Sequence, residues 1–493
     1  MSSFGYYIIC SSLFNLIDLV PMGDAMSKLR NVTMFLIAAV SIVSAQEPKY
    51  PFPQNVVYPY GVKSSKISND FVRNWYDNWK KKYLQVCNNT IRPGVDPLTT
   101  SLVEAQGFAM VAVAYMGDKE TFDKLYEYYK LKLTSEGCGL MGWKNNCGGF
   151  VDKGSATDGD IDVACALVVA TWQWPDGGYK EKAKSTIDNL RKRMITTCSG
   201  KLTVYPGCGG GGPWGGCNET DISYYTPAFF RHFADISGDE SWNKLADDTQ
   251  LIRDAAANKN TGLVPDWQSV DGRAGAGSRK GYYSFDAIRS PYKQTLDYLW
   301  HGTRAAGDWA KKISTWANGV GVGSLKDEYN LDGSVRGSNH NMAAVGSFAV
   351  SAMANTQQIA DAFATEVLKL RDDYWYSGYL GNLYLLALTG NMWTPEIIEN
   401  QSIIVSQRGL TGSSYAQQPV VQSLRNQIKI TGLPEFESIV VAALNGKTVK
   451  SAHVSPSVDG AVIPTSGMQS GCYIIRIKTS ANVQPSIHMV SVM

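Results

Sequence analysis

The chain has 493 residues, 44% hydrophobic and 18% charged, and its 46 basic and 44 acidic side chains leave a net charge of +2. That apolar share supports a sizeable core and excludes wholesale disorder. The near-neutral balance excludes nucleic acid or an anionic membrane as the main electrostatic partner. The length accommodates roughly two to four domains. Most of the 13 Trp and 26 Tyr serve core packing, but such residues also supply flat faces on which sugar rings stack.

The five histidines (His232, His301, His340, His453 and His488) form no metal-ligand spacing, and the chain carries neither a lysine-bearing phosphate loop nor a G-x-S-x-G elbow. No metal or cofactor is expected. The glycine-rich stretch from Cys208 to Cys217 lacks the lysine of a phosphate cradle and reads as a disulfide-closed loop.

Residues 26–45 have the build of a secretory signal: Lys28 and Arg30, an apolar run from Val32 to Val43, then the small residues Ser44 and Ala45. The run is too short for a stable membrane span. Residues 1–25 precede it awkwardly and are read as a misassigned start, with Met26 the true one. A secreted or cell-surface location follows as an expectation. Export permits disulfides, and Cys138–Cys147 and Cys208–Cys217 are the expected pairs, with Cys165 a buried thiol in an apolar helix.

From about 67 to 390 the pattern is helical and of two alternating kinds. The segments 67–84, 119–133, 179–195, 240–255, 305–318 and 357–371 are amphipathic. The segments 101–116, 158–174, 222–236, 285–302, 341–354 and 379–390 are apolar nearly all round, and such helices must be buried. Six buried helices, each paired with an amphipathic one, predict an (α/α)6 barrel. Its inner helices would run one way, bringing Glu104, Asp158, Asp160, Tyr224, Asp286 and His340 to one rim.

Three acidic sites there carry chemistry. Glu104 stands alone among apolar neighbours, where poor solvation would raise its pKa and suit a general acid. Asp158 and Asp160 flank a glycine at the start of a hydrophobic helix, more acid than an N-cap needs. Asp286 lies three residues before Arg289, among Tyr282, Tyr283 and Tyr292, as an ionised base held by a cation. A raised acid paired with an ionised carboxylate is the minimum for hydrolysing a glycosidic bond.

These residues resemble glycoside hydrolase family 8. Ala156-Thr157-Asp158-Gly159-Asp160, with the helix down to Trp174, is similar to the family signature, with Val163 where Ile or Met is usual. Ser101 to Met110 resembles S-E-G-Q-G-x-x-M, with Leu102 and Val103 inserted and Ala105 in place of Gly. The segment from Phe285 to Pro291 resembles Y-D-A-x-R-x-P-W-R, with Tyr292 and Lys293 in place of Trp-Arg. Ser223 to Ala228, Gly337 to Asn341 and Tyr379 to Leu388 resemble further family segments. The resemblance runs over about 55–392. It implies an (α/α)6 barrel and inversion at the anomeric carbon, with Glu104 as acid and Asp286 as base. It also implies Arg289 as a structuring residue and a contact from Asp158 to the sugar at the cleavage point. Tyr224, Trp143, Trp214, Tyr282 and Tyr379 complete the expected substrate-binding set.

The expected function is therefore endo-acting hydrolysis of β-1,4 bonds in cellulose or mixed-linkage β-glucan. A xylanase or chitosanase on the same scaffold is the alternative, and a polysaccharide is the expected partner. A non-catalytic glycan-binding protein would not need both carboxylates, and a polysaccharide lyase would want a basic cleft. The domain reading is 1–45 as false start and signal, 46–395 as barrel, 396–420 as a non-helical linker and 421–493 as a small β-sandwich-like domain. In that last part Asn445-Gly446 marks a hairpin turn and 470–477 alternates as a strand. The tail resembles a type IX-like sorting domain, which implies the secretion machinery as a second partner. With no Trp after Trp393, it is a poor candidate for a sugar-stacking module.

Overall fold

The computed structural model describes residues 46–408 and 461–469, together with strands at 420–424, 427–431, 438–443, 448–452, 471–478 and 486–492. The signal-peptide reading of 26–45 lies outside the described residues.

Twelve α-helices follow in the predicted order. The amphipathic ones are α1 (Asn69–Tyr83), α3 (Lys119–Leu131), α5 (Tyr179–Met194), α7 (Ser241–Ala256), α9 (Arg304–Val320) and α11 (Gln357–Val367). Between them stand the apolar ones: α2 (Val103–Tyr115), α4 (Thr157–Gln173), α6 (Pro227–Ser237), α8 (Ser290–His301), α10 (Met342–Ala352) and α12 (Trp375–Leu388). Each apolar helix packs on the next and α12 closes onto α2, making an inner ring of six wrapped by the outer six. The apolar faces of both rings merge into one core, in which Trp79, Trp174, Trp242 and Trp393 are fully buried.

Two inner helices begin later than their hydrophobicity indicates. Before α6 the chain makes a 3-10 turn at Ile222–Tyr224, and before α8 another at Ala287–Arg289. In both, a proline at the start of the α-helix fixes where regular winding begins. These non-helical approaches leave Tyr224 and Asp286 at the mouth of the ring.

The close packing of α2 on α4 depends on Gly159. A Cβ there would stand 2.3 Å from the Val103 carbonyl oxygen and 2.4 Å from its carbon. Both obstacles are backbone and cannot step aside. We expect Gly159→Ala to destabilise the protein by about 1–3 kcal/mol through overpacking, read as a lower denaturation midpoint.

The disulfides differ from the expected pairs. They join Cys87 to Cys147, Cys138 to Cys208 and Cys198 to Cys217, and Cys165 is free and buried as predicted. Short loop spacing favoured Cys138–Cys147 and Cys208–Cys217, but strand pairing decides otherwise. Gly207–Gly209 and Gly212–Trp214 already form an antiparallel hairpin, which needs no bridge at its ends. The first strand of that hairpin lies beside Phe150–Ser155, where the Ser155 hydroxyl accepts from the Cys208 amide at 3.0 Å, and this carries Cys208 to Cys138. Bridges closing 60 and 70 residues also restrict the unfolded chain more than the short loops would.

The stretch 396–420, read as a non-helical linker, opens with a helix, α13 (Pro395–Arg408). Its start was legible. Proline stands at the first helical position, Thr394 Oγ1 accepts from the Ile397 amide at 3.4 Å, and Ile397 is buried. Beyond it, seven strands among the described residues pair antiparallel in sheets of three and four. Ile428, Ile430, Ile439, Val441, Ile463 and Ile475 fill a separate apolar cluster. The Asn445-Gly446 turn lies outside the described residues, while the strands on either side of it pair as a hairpin. No helix among the described residues is long and apolar enough to cross a membrane.

Candidate active site

The starts of α2 and α4, the turn before α6 and the turn before α8 meet at one end of the inner ring. There Leu102, Val103, Glu104, Trp143, Ala156, Asp158, Tyr224 and Asp286 line a cleft of about 150 Å³. Glu104 and Asp158 each occupy the second position of their helix, and neither helix has a side-chain N-cap. Carboxylates there face the positive end of the helix dipole.

Arg289 organises the cleft floor. Its guanidinium is 1% exposed and faces four carboxylates. One nitrogen pairs with Asp158 and lies 3.4 Å from Glu104. The other lies 3.3 Å from Asp286 and 3.6 Å from Asp221. The same guanidinium stands 5.4 Å from the centre of the Tyr224 ring. Behind it, Lys293 binds both oxygens of Asp162 at 2.9 and 3.0 Å. Lysine in place of the family's arginine thus still supplies a buried cation.

One cation cannot neutralise four carboxylates, so some must hold protons. Burial pushes the Glu104 carboxyl up to about 8. Arg289 opposes that shift, and Asp158 and Asp286 add to it. Desolvation therefore outweighs the attraction of Arg289. Asp221, fully buried, is driven well above the usual carboxylate range by burial and then by Asp286. Asp286 is more open: a third of its side chain is exposed, 34% against 24% for Glu104. It accepts a hydrogen bond from Trp267 Nε1 at 2.9 Å as well as the Arg289 contact.

Not every predicted residue arrives here. Trp143, 38% exposed, and Tyr224 line the cleft. Trp214 stacks on Trp267 with ring centres 6.0 Å apart. Tyr282 is partly exposed under Arg336, whose guanidinium is 4.1 Å from its ring centre. Tyr379 is a correction. It is 1% exposed, packs edge-on against Trp79 and donates its hydroxyl to the Gly94 carbonyl, so it is a core residue and cannot meet substrate. On α12 its side chain points between the rings, a choice that helix phase makes and that aromatic identity does not. Asp160 and His340 also stay outside the cleft. Asp160 accepts from the Tyr129 hydroxyl and the Met141 amide, and His340 bonds Glu366 and the Leu325 carbonyl.

Sequence reasoning missed three residues. Asp221 stands two residues before the singled-out segment from Ser223, and its position could have drawn notice. Asp266 accepts from the Ser284 and Ala287 amides at 2.8 and 2.9 Å, bracketing Asp286, and Trp267 touches Asp286 directly. Both come from a loop some 20 residues upstream, with no periodicity to mark it.

The comparisons with known proteins agree with this geometry. The family model for glycosyl hydrolases family 8 matches residues 50–393. Endoglucanase 2 of Ruminiclostridium josui is 33% identical over 79% of this chain and 87% of its own length. Endoglucanase C of Ruminiclostridium cellulolyticum is 33% identical over 75% of this chain and 84% of its own. Among solved structures, the apo β-1,3-1,4-glucanase of Paenibacillus sp. X4 is 26% identical, with a TM-score of 0.64 over 70% of this chain and all of that one. A closed double ring of helices, a cleft of carboxylates at its mouth and a family match across both leave one conclusion: this chain belongs to glycosyl hydrolases family 8.

Proposed function

We propose that this glycoside hydrolase cuts β-1,4 bonds within cellulose or mixed-linkage β-glucan, with inversion at the anomeric carbon. The single observation that carries the mechanism is that two carboxyls in unlike surroundings line one cleft. Burial pushes the Glu104 carboxyl up to about 8, while the Asp286 side chain is a third exposed and contacts Trp267 and Arg289. Glu104 protonates the leaving oxygen. Asp286 takes the proton of a water that attacks from the opposite face, and the bond to the leaving group breaks as the new C–O bond forms. Both carboxyls contact the same planar guanidinium, at 3.4 and 3.3 Å, and so face one cleft; a pair roughly 6.5–9.5 Å apart leaves room for the attacking water of an inverting enzyme. Asp158, paired with Arg289, is placed to bind the sugar at the cleavage point. Trp143, exposed in the cleft, offers a ring face on which a sugar can stack. The choice of glucan rests on relatives named as endoglucanases and a β-glucanase.

The same reading makes 26–45 an export signal and gives the C-terminal strands a sorting role at the cell surface. The small β-sandwich pattern and the scarcity of aromatics there support it. The test of localisation is fractionation of the native host. Enzyme retained in the cytoplasm would overturn it.

The test of function is release of reducing ends by the full chain from carboxymethylcellulose, barley β-glucan, xylan and chitosan. Release from the glucans is expected. Release from xylan or chitosan alone would keep the chemistry and replace the substrate. We expect Asp286→Asn to lower kcat by about 10²–10⁴. Proton NMR of the wild-type reaction should show α-anomeric ends appearing first. Initial β ends would mean a double displacement.

A further inference from the structure

The loop that carries Asp266 and Trp267 lies outside the motifs considered so far, yet both residues grip the turn bearing Asp286. Trp267 is 7% exposed, so it offers little face to a sugar. Its backbone is fixed on both sides: its amide donates to the Lys280 carbonyl at 3.1 Å and its carbonyl accepts from the Gly275 amide at 2.9 Å. One neighbour of the ring is Trp214, stacked at 6.0 Å. Another is Tyr224, edge-on at 6.1 Å. The Arg279 guanidinium covers both indoles, 4.3 Å from the centre of Trp267 and 4.8 Å from that of Trp214, and pairs with Glu219. The indole N–H is thereby aimed at Asp286 Oδ2, at 2.9 Å.

We propose that Trp267 is a positioning residue for the base: its N–H fixes the orientation of the Asp286 carboxylate, and the Arg279–Glu219 pair locks the indole that carries it. An unrestrained carboxylate can rotate about its terminal torsion, which is broad and roughly two-fold. Arg289 holds one oxygen and Trp267 the other, so the carboxylate plane is set before substrate arrives. Arranging a catalytic group in advance in this way raises kcat without tightening ground-state binding. The inference rests on the assignment of Asp286 as base.

The experiment is steady-state kinetics of full-length Trp267→Phe on barley β-glucan, with Asp286→Asn alongside. Phenylalanine keeps an aromatic ring at the position and removes the N–H donor along with the five-membered ring that carries it. The expected result is a fall in kcat of about tenfold or more, with KM changed by less than about twofold. An unchanged kcat would overturn the proposal. So would a raised KM with kcat preserved, which would make Trp267 a sugar platform. If Trp267→Phe does not fold, Arg279→Gln at an exposed position reads the same quantity. A smaller fall in kcat at constant KM supports the lock, and an unchanged kcat overturns it. Asp286→Asn separates the two levels. Full activity there would remove the base assignment and this inference with it. An inactive Asp286→Asn beside an unaffected Trp267→Phe would remove the inference alone.

Discussion

Glu104→Gln is expected to lower kcat by about 10²–10⁴ while glycan binding and fold persist. Glutamine keeps the shape and the exposed quarter of the side chain but cannot donate the proton that the leaving oxygen needs. The wild-type pH profile should report the same group. Activity needs the protonated acid, so kcat/KM, which reports the free enzyme, should fall as pH rises through about 8, where burial pushes the Glu104 carboxyl. Stability carries a second signature. The folded-state value lies above the usual 4.5, so the folded protein holds this proton more tightly than the unfolded chain. That contribution is fully present below about pH 4.5 and is lost as pH rises through about 8. In Glu104→Gln this component of the pH dependence should vanish, leaving the variant relatively more stable than wild type near pH 8. Thermal melts of both proteins from pH 5 to 9 would check it. Parallel curves would mean that Glu104 is not the buried acid described here.

Arg289→Met should be the most damaging substitution for the molecule as a whole. It removes the cation shared by Glu104, Asp158, Asp221 and Asp286 while leaving the carboxyls in place. Breaking a buried ion network by deleting one partner costs roughly 3–5 kcal/mol, because the stranded charges must be desolvated, protonated or pushed apart. Methionine is close in volume, so loss of packing contributes little. Activity should disappear as well, since Asp286 would lose one of the two contacts that orient it. Arg289→Lys should recover part of the stability, but a point charge cannot reproduce a planar fork across four carboxylates. Chemical denaturation of the two variants distinguishes these effects. A midpoint unchanged in Arg289→Met would mean that the site charges are balanced some other way.

Several levels of this protein were written in local sequence. Helices that are apolar all round have no choice but burial. The strict alternation of six such segments with six amphipathic ones left a closed double ring as the arrangement that buries every apolar face. Glu104 and Asp158 were legible for the same reason: a carboxylate at the start of an otherwise apolar helix is conspicuous. The Thr394-Pro395 helix start and the position of Asp221 were equally present in the sequence.

Other features depend on contacts between segments far apart in the chain. Disulfide pairing followed the strand that carries Cys208 alongside Ser155, and proximity in sequence favoured the wrong partners. Tyr379 had the chemistry of a sugar platform, but the phase of α12 turned it into the core. Arg289 could be placed near Asp286 by its three-residue spacing. Its contacts with Glu104, Asp158 and Asp221 come from three other segments, and they exist only once the ring has closed. Trp267 and Asp266 reach Asp286 from a loop without periodicity. Sequence by itself determined which surfaces had to be buried, because hydrophobicity is a property of each residue. The protonation and orientation of the carboxyls were decided only by the tertiary structure, because desolvation and hydrogen bonding depend on what other segments bring alongside.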